Sequence, residues 1–135
     1  MINAKLDDPR AVVLAFANAY TQWESRVART RDGLRNSDFQ NQITEIIRSY
    51  CTNKKRAYVD GVYSYAQPPV YEQVVEANIS NVEQVTRTRA YVDMKKLQGN
   101  AYRFVVLKKK DGWRIDSVKW RFSDNDEWKN TLIGS

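Results

Sequence analysis

The segment YRFVVLKKKDGWRIDSVKWRF, residues 102–122, decides the fold of this chain. Two runs rich in β-branched and aromatic residues flank Asp111-Gly112, a dipeptide typical of two-residue hairpin turns. We therefore predict antiparallel strands at residues 102–109 and 113–122, joined at this turn.

The second strand of this hairpin changes phase part-way along its length. Trp113 and Ile115 fall on one side of a regular strand, and the apolar residues that follow fall on the other: Val118, Trp120 and Phe122. A β-bulge near Ser117 would return both groups to one face, and it would also curve the sheet.

Two amphipathic helices precede the strands. Apolar residues recur at three- and four-residue spacing from Pro9 to about Arg29, with Asp8 as N-cap and Gly33 as the predicted stop. A second helix is predicted to begin at Ser37, which forms a capping box with Gln40. Its inner face would contain Phe39, Ile43, Ile46, Ile47 and Tyr50.

Further strands are predicted between the second helix and the hairpin. Alternation at Tyr71, Val75, Ala77 and Ile79 predicts one strand, and residues 82–94 predict a second, with a turn at 98–100. The whole chain, residues 1–135, then forms one α+β domain, with N-terminal helices packed on a curved antiparallel sheet as a cone with an open mouth.

Composition narrows the chemistry. The chain has no histidine and a single cysteine, Cys51, which we predict to be a buried core residue. Carboxylates are present at Asp93, Asp116, Glu72 and Glu76, but no pattern places two of them on one inward face. We therefore predict no catalytic residue, no metal site and no cofactor.

Positive charge is concentrated in parts of the chain. The formal net charge is +6, and residues 85–121 hold 11 basic and 3 acidic side chains. Residues 61–84 hold no basic side chain and three acidic ones. Such asymmetry gives a positive face that attracts acidic partners. No stretch reaches the length of a membrane span, and the apolar run at 11–17 lacks a positive lead, so a cytoplasmic location is expected.

Two groups of basic and aromatic residues are the candidate partner contacts, since arginine and tyrosine are enriched at binding hot spots. The first comes from the Pro-Pro segment at 53–72 and contains Lys54, Lys55, Arg56, Tyr58, Tyr63, Tyr65 and Tyr71. The second contains Arg87, Arg89 and Arg103, with the first two on the same strand face as Tyr91. Each tyrosine could equally cover the core, and the arginines could form a solvated face or bind single-stranded nucleic acid.

The order of motifs resembles the NTF2-fold immunity proteins. The resemblance rests on Asp8-Pro9-Arg10-Ala11, Trp23-Glu24, Lys54–Tyr58, Ser64-Tyr65, Pro68–Tyr71, the closing strands and the acidic tail Asp124–Trp128. It implies an NTF2-like cone and a non-catalytic protein. Such a protein would bind the C-terminal toxin domain of a large exported effector, often of the Rhs type. Binding in the cytoplasm would occlude the toxin's active site.

The charge of the chain adds an expectation about that toxin. An inhibitor of a basic nuclease would be acidic, whereas this chain is basic, so the partner surface is expected to be acidic. A toxin that acts on a nucleotide cofactor or a protein, such as an ADP-ribosyltransferase, fits that expectation. The remaining alternatives are a small-molecule-binding protein or enzyme of NTF2-like fold and a basic nucleic-acid-binding domain. Monomer and dimer are both open.

Overall fold

The first helix begins where the capping residues predict. In the computed structural model, which describes residues 7–31, 33–54, 71–95 and 100–131, α1 spans Pro9–Arg29. The Asp8 carboxylate accepts a hydrogen bond from the Ala11 amide at 2.9 Å, as expected of an N-cap. The helix ends at Thr30 in extended backbone. Gly33, with φ of 50°, lies beyond it in a short 3-10 helix, so it does not cap α1 as predicted.

The second helix, α2, spans Ser37–Tyr50. Its N-cap is Asn36, whose side chain accepts from the Asp38 amide at 2.8 Å, so the predicted cap at Ser37 was one residue late. The predicted inner face is confirmed: Phe39, Ile43 and Ile47 are buried, and Ile46 and Tyr50 pack partly against the core. The buried Trp23 indole donates to the Phe39 carbonyl at 2.8 Å and fixes the start of α2 against α1.

In the described part of the chain, five antiparallel strands form one curved sheet in the order β1-β2-β3-β4-β5, and α1 and α2 pack on one of its faces. The strands are Ile79–Thr86, Arg89–Met94, Ala101–Lys109, Gly112–Arg121 and Lys129–Asn130. Each strand pairs with the next in sequence, which makes the sheet a meander.

The two strands predicted before the hairpin differ from those in the structure. Residues 71–73 form a turn and Glu76–Asn78 a 3-10 helix, so no strand runs through 71–78. The strand predicted at 82–94 is two strands that reverse at Arg87-Thr88. The Thr86 hydroxyl accepts from the Thr88 amide at 3.2 Å, and this local bond supports a turn that lacks glycine and proline.

The closing hairpin is confirmed with a one-residue shift. Lys110 and Asp111 form its turn, and Gly112, with φ of 118°, is the first residue of β4. Few residues other than glycine tolerate that backbone conformation.

The bulge near Ser117 is also confirmed. The pairing passes from Val105–Ser117 to Val106–Ile115, which makes Asp116 the extra residue of β4. The extra residue changes the phase of β4 as predicted, since Ile115 and Val118 both lie in the core.

Aromatic rings fill much of the space between α1 and the sheet. The Tyr71 ring lies 5.6 Å from Phe16, 5.1 Å from Tyr20, 6.2 Å from Tyr102 and 5.8 Å from Phe104, between ring centroids. Such tilted and edge contacts stabilise aromatic clusters. Burial raises the pKa of the Tyr102 hydroxyl, which therefore stays protonated at neutral pH.

Candidate partner-binding surface

The Pro-Pro segment contributes one described candidate at its start and one at its end. Lys55, Arg56, Tyr58, Tyr63 and Tyr65 lie outside the described residues, and their roles stay predictions. The Lys54 side chain is 36% exposed, with Nζ 3.4 Å from the Asp116 carboxylate.

Tyr71 is a core residue. It is 3% exposed and lies within the aromatic cluster described above. The prediction that Tyr71 contacts a partner is therefore wrong. A side chain packed among four rings cannot reach another protein unless that cluster unfolds. The alternative open from the sequence, that a tyrosine of this segment covers the core, holds at this position.

The three arginine candidates occupy different positions in the sheet. Arg87 is exposed in the β1–β2 turn, so it does not share a strand face with Arg89. Arg89 begins β2, and its guanidinium carbon lies 5.5 Å from the centre of the Tyr91 ring. Arg89 and Tyr91 do share a face, as predicted.

Arg103 is held in place by an acid and two rings. Its Nε and Nη2 donate to the two carboxylate oxygens of Asp93 at 2.8 and 3.0 Å. Its guanidinium carbon lies 4.3 Å from the centre of the Tyr91 ring and 4.9 Å from that of Trp128. The bond to Asp93 raises the pKa of the Arg103 guanidinium. Its position and charge are therefore fixed before any partner arrives.

The stack continues beyond Arg103. The Arg121 guanidinium carbon lies 4.1 Å from the centre of the Trp128 ring, and its Nη2 lies 3.6 Å from the Asp124 carboxylate. Arginine and aromatic side chains thus alternate across the face of the sheet away from the helices. We call this set the outer-face ladder: Arg89, Tyr91, Arg103, Trp128 and Arg121.

Sequence reasoning missed Trp128 and Arg121 as members of the ladder. Trp128 belongs to the tail that folds back as β5, where Lys129 pairs with Trp120 and Asn130 pairs with Lys119. The sequence distinguishes this tail by its acidic residues and its Trp, but no local pattern shows where such a tail folds. Only the register of β4 with β5 brings Trp128 to Arg103.

A second surface is a cleft of about 640 Å³ between the C-terminal end of α2 and the β3–β4 hairpin. The described residues that line it are Ile47, Arg48, Cys51, Thr52, Asn53, Lys54, Lys109, Asp111, Arg114 and Asp116. The chain leaving α2 closes one side, since the Thr52 amide donates to the Ile115 carbonyl at 2.8 Å. Lys54, predicted as a contact residue, lies in this lining.

Arg114 joins the two walls of the cleft. Its Nη1 donates to the carbonyls of Arg48, Ser49 and Cys51 at 2.8, 3.2 and 3.3 Å, and its Nε donates to Asp111 at 3.1 Å. A cation at a helix C-terminus satisfies carbonyls that have no partner within the helix. The bond to Asp111 raises the pKa of Arg114, and the same bond lowers the pKa of Asp111.

Comparison with known protein families identifies the family of this chain. Residues 8–131 match the family described as NTF2 fold immunity protein. The chain belongs to this family. No curated protein and no solved structure matches it. The match covers nearly the whole chain, agrees with two helices on a curved antiparallel sheet, and supports a role in immunity to a toxin.

One acidic side chain of this immunity protein is buried in the core and not on a binding surface. Glu24 on α1 is 1% exposed. Sequence reasoning missed it, although a signal was present: Glu24 is four residues after Tyr20 and three before Val27, both on the apolar stripe. A charged residue on such a stripe predicts a buried ionisable group.

Within residues 7–31, 33–54, 71–95 and 100–131 of this immunity protein, no three cysteine, histidine or acidic side chains are grouped so as to hold a metal ion. In the same ranges, no helix has the length and apolar character needed to cross a membrane.

Proposed function

We propose that this immunity protein binds a toxin domain with the outer face of its sheet and neutralises it by occluding the active site. The observation that carries the proposal is the outer-face ladder, in which Arg89, Arg103 and Arg121 lie over or beside two aromatic rings. Arginine, tyrosine and tryptophan dominate the binding energy of protein interfaces.

The ladder is ordered in advance. Arg103 has both a two-point ion pair and ring contacts, so little side-chain entropy remains to be lost on binding. Guanidinium groups already cover at least one face of Tyr91 and of Trp128, which leaves less ring surface for stacking on bases. A protein partner is therefore favoured over single-stranded nucleic acid.

The partner's contact surface is proposed to be acidic. The outer face also includes Lys119, which pairs with Arg103, so among the described residues there four basic side chains stand against three acids, Asp93, Glu83 and Asp124. A positive face favours a complementary negative one and speeds encounter. On this basis we propose a toxin that is not a basic nuclease, with an ADP-ribosyltransferase domain as an example, carried at the C-terminus of an Rhs-type or other contact-delivered effector. The complex would form in the cytoplasm of the producing cell.

Capture from the native strain tests this function. The tagged protein is expected to recover a near-stoichiometric toxin domain at moderate salt. Arg89→Glu should reduce the association rate about tenfold through lost electrostatic attraction. Arg35→Glu is the matched control, since Arg35 is an exposed arginine on the 3-10 helix before α2.

Two results would contradict the proposal. Recovery of nucleic acid that is lost at high salt would indicate polyanion binding instead. An equal loss of association rate in Arg89→Glu and Arg35→Glu would show that net charge, rather than the outer face, controls binding. The predicted contacts at Lys55 and Arg56 can be tested in the same assay.

A further inference from the structure

We propose that the cleft between α2 and the β3–β4 hairpin is a second binding site, which takes an acidic peptide segment and holds its carboxylates at Lys54 and Lys109. The site is separate from the outer-face ladder and deepens the proposed function, on which it rests for the identity of the natural partner. At about 640 Å³ it has the size of pockets that enclose several side chains or a small ligand.

The charges of the described lining residues do not cancel. They comprise four cations, Arg48, Lys54, Lys109 and Arg114, and two carboxylates, Asp111 and Asp116. Asp111 is engaged by Arg114 through Nε and Nη2. The Asp116 carboxylate accepts from the Thr52 hydroxyl at 2.8 Å and from Lys54 at 3.4 Å. Both acids are thus held by groups of the protein.

The two lysines retain capacity for a ligand. Among the described residues, Lys54 makes one long contact, and because an ammonium group has three donors, two have no acceptor in that part of the chain. Lys109 is exposed at the end of β3, and among the ion pairs of the described residues none includes it. An added carboxylate would therefore meet cations without displacing the internal pairs.

The remaining lining favours a peptide over a free anion. Ile47 and Cys51 are buried and give the cleft an apolar floor, while Asn53 adds an exposed amide. Arg114 fixes the end of α2 to the hairpin, so the walls are in place before binding. An aliphatic side chain on the floor with carboxylates at the rim matches this arrangement.

The test uses a defined probe. An acetylated Glu-Glu-Leu-Glu-Glu peptide is titrated into the full chain, with Gln-Gln-Leu-Gln-Gln as the neutral control, and backbone amide shifts are followed by NMR. The acidic peptide is expected to shift the amides of Cys51–Lys54 and Lys109, and the neutral peptide should leave them in place.

Substitutions then locate the site. Lys109→Glu should weaken binding of the acidic peptide about tenfold, as expected for the loss of a hydrogen bond between charged groups. Lys108→Glu, the adjacent exposed residue outside the cleft lining, makes the same charge change and should have a much smaller effect. Lys54→Gln gives a second variant in the lining should the first one fail to fold.

Three outcomes would overturn the site: no binding of the acidic peptide, amide shifts confined to the outer face, or equal weakening by Lys109→Glu and Lys108→Glu. Because the probe is a peptide, failure of the site is distinguishable from failure of the proposed function, which is tested by capture of the toxin.

Discussion

Arg103 and Asp93 face each other across β2 and β3 and form a two-point ion pair, at 2.8 Å from Nε and 3.0 Å from Nη2. Their side chains are 22% and 17% exposed. Each charge is therefore partly desolvated, and each depends on the other to offset the cost of that desolvation. The pair stabilises the centre of the outer-face ladder as well as offering charge to a partner.

Removal of Arg103 is expected to lower stability as well as binding. Arg103→Ala leaves Asp93 with little solvent and no guanidinium, so the free energy of unfolding should fall by about 2 kcal/mol. Urea denaturation measures the change. Arg87→Ala, in the exposed turn, should change it by less than about 0.5 kcal/mol. Similar values for the two variants would show that the pair with Asp93 is not stabilising.

Arg114 is expected to support both α2 and the hairpin. Arg114→Ala removes the donor to three helix-end carbonyls and to Asp111, and should lower the free energy of unfolding by about 2–3 kcal/mol. Hydrogen exchange should increase at the last turn of α2. The control is Arg48→Ala, whose side chain is 70% exposed and whose ion pair with Glu45 is expected to contribute less than about 0.5 kcal/mol.

The ion pair between Arg114 and Asp111 is expected to make the stability of the fold depend on pH. The bond to Arg114 lowers the pKa of the Asp111 carboxyl in the folded state. The stabilisation from this ion pair is therefore present above the ordinary aspartate pKa of about 3.9, and it is lost as the pH falls through the folded-state pKa. The Asp111 side chain is 56% exposed, so the effect should be at most about 1 kcal/mol.

Thermal unfolding of Asp111→Asn between pH 7 and pH 2 checks this dependence. The variant should be less stable than the parent at neutral pH, and the difference should disappear at the acid end. Asp124→Asn is the matched control, because that side chain is 95% exposed. A difference for Asp111→Asn that stays constant with pH would rule out the ion pair as its cause.

Substitutions at Tyr71 distinguish a role in the core from a role in partner contact. Tyr71→Ala removes a ring that packs against four others and should lower the free energy of unfolding by about 3–5 kcal/mol. Tyr71→Phe keeps the ring, should cost at most about 1.5 kcal/mol, and should bind the captured partner as tightly as the parent. A large loss of affinity in the folded Tyr71→Phe variant would show that the Tyr71 hydroxyl contributes to partner binding.

The features predicted correctly are those that short-range patterns determine. Asp8 and Pro9 mark the start of α1, and three- and four-residue spacing identifies its inner face. The phase change in β4 predicts the bulge because the side chains of a strand alternate strictly between two faces.

The errors occurred where a tertiary contact or a single side-chain bond decides the structure. Alternation from Tyr71 to Ile79 imitates a strand, but Tyr71 is buried by the aromatic cluster rather than by strand pairing. The turn at Arg87-Thr88 is supported by the Thr86 hydroxyl, and its residue types, which include neither glycine nor proline, do not predict it. The outer-face ladder combines β2, β3, β4 and the tail, so it follows from long-range register and not from spacing along the chain.

Asp116 is the extra residue of the bulge, so the two halves of β4 keep their faces whether or not it is present. Loss of its codon would shorten the protein by one residue and place Ser117 next to Ile115, which restores regular alternation with Ile115 and Val118 still in the core. The local bend of the strand and the contacts of Asp116 with Thr52 and Lys54 would be lost. An alignment of relatives should therefore show single-residue deletions here where the strand is straighter, with the apolar pattern on either side unchanged.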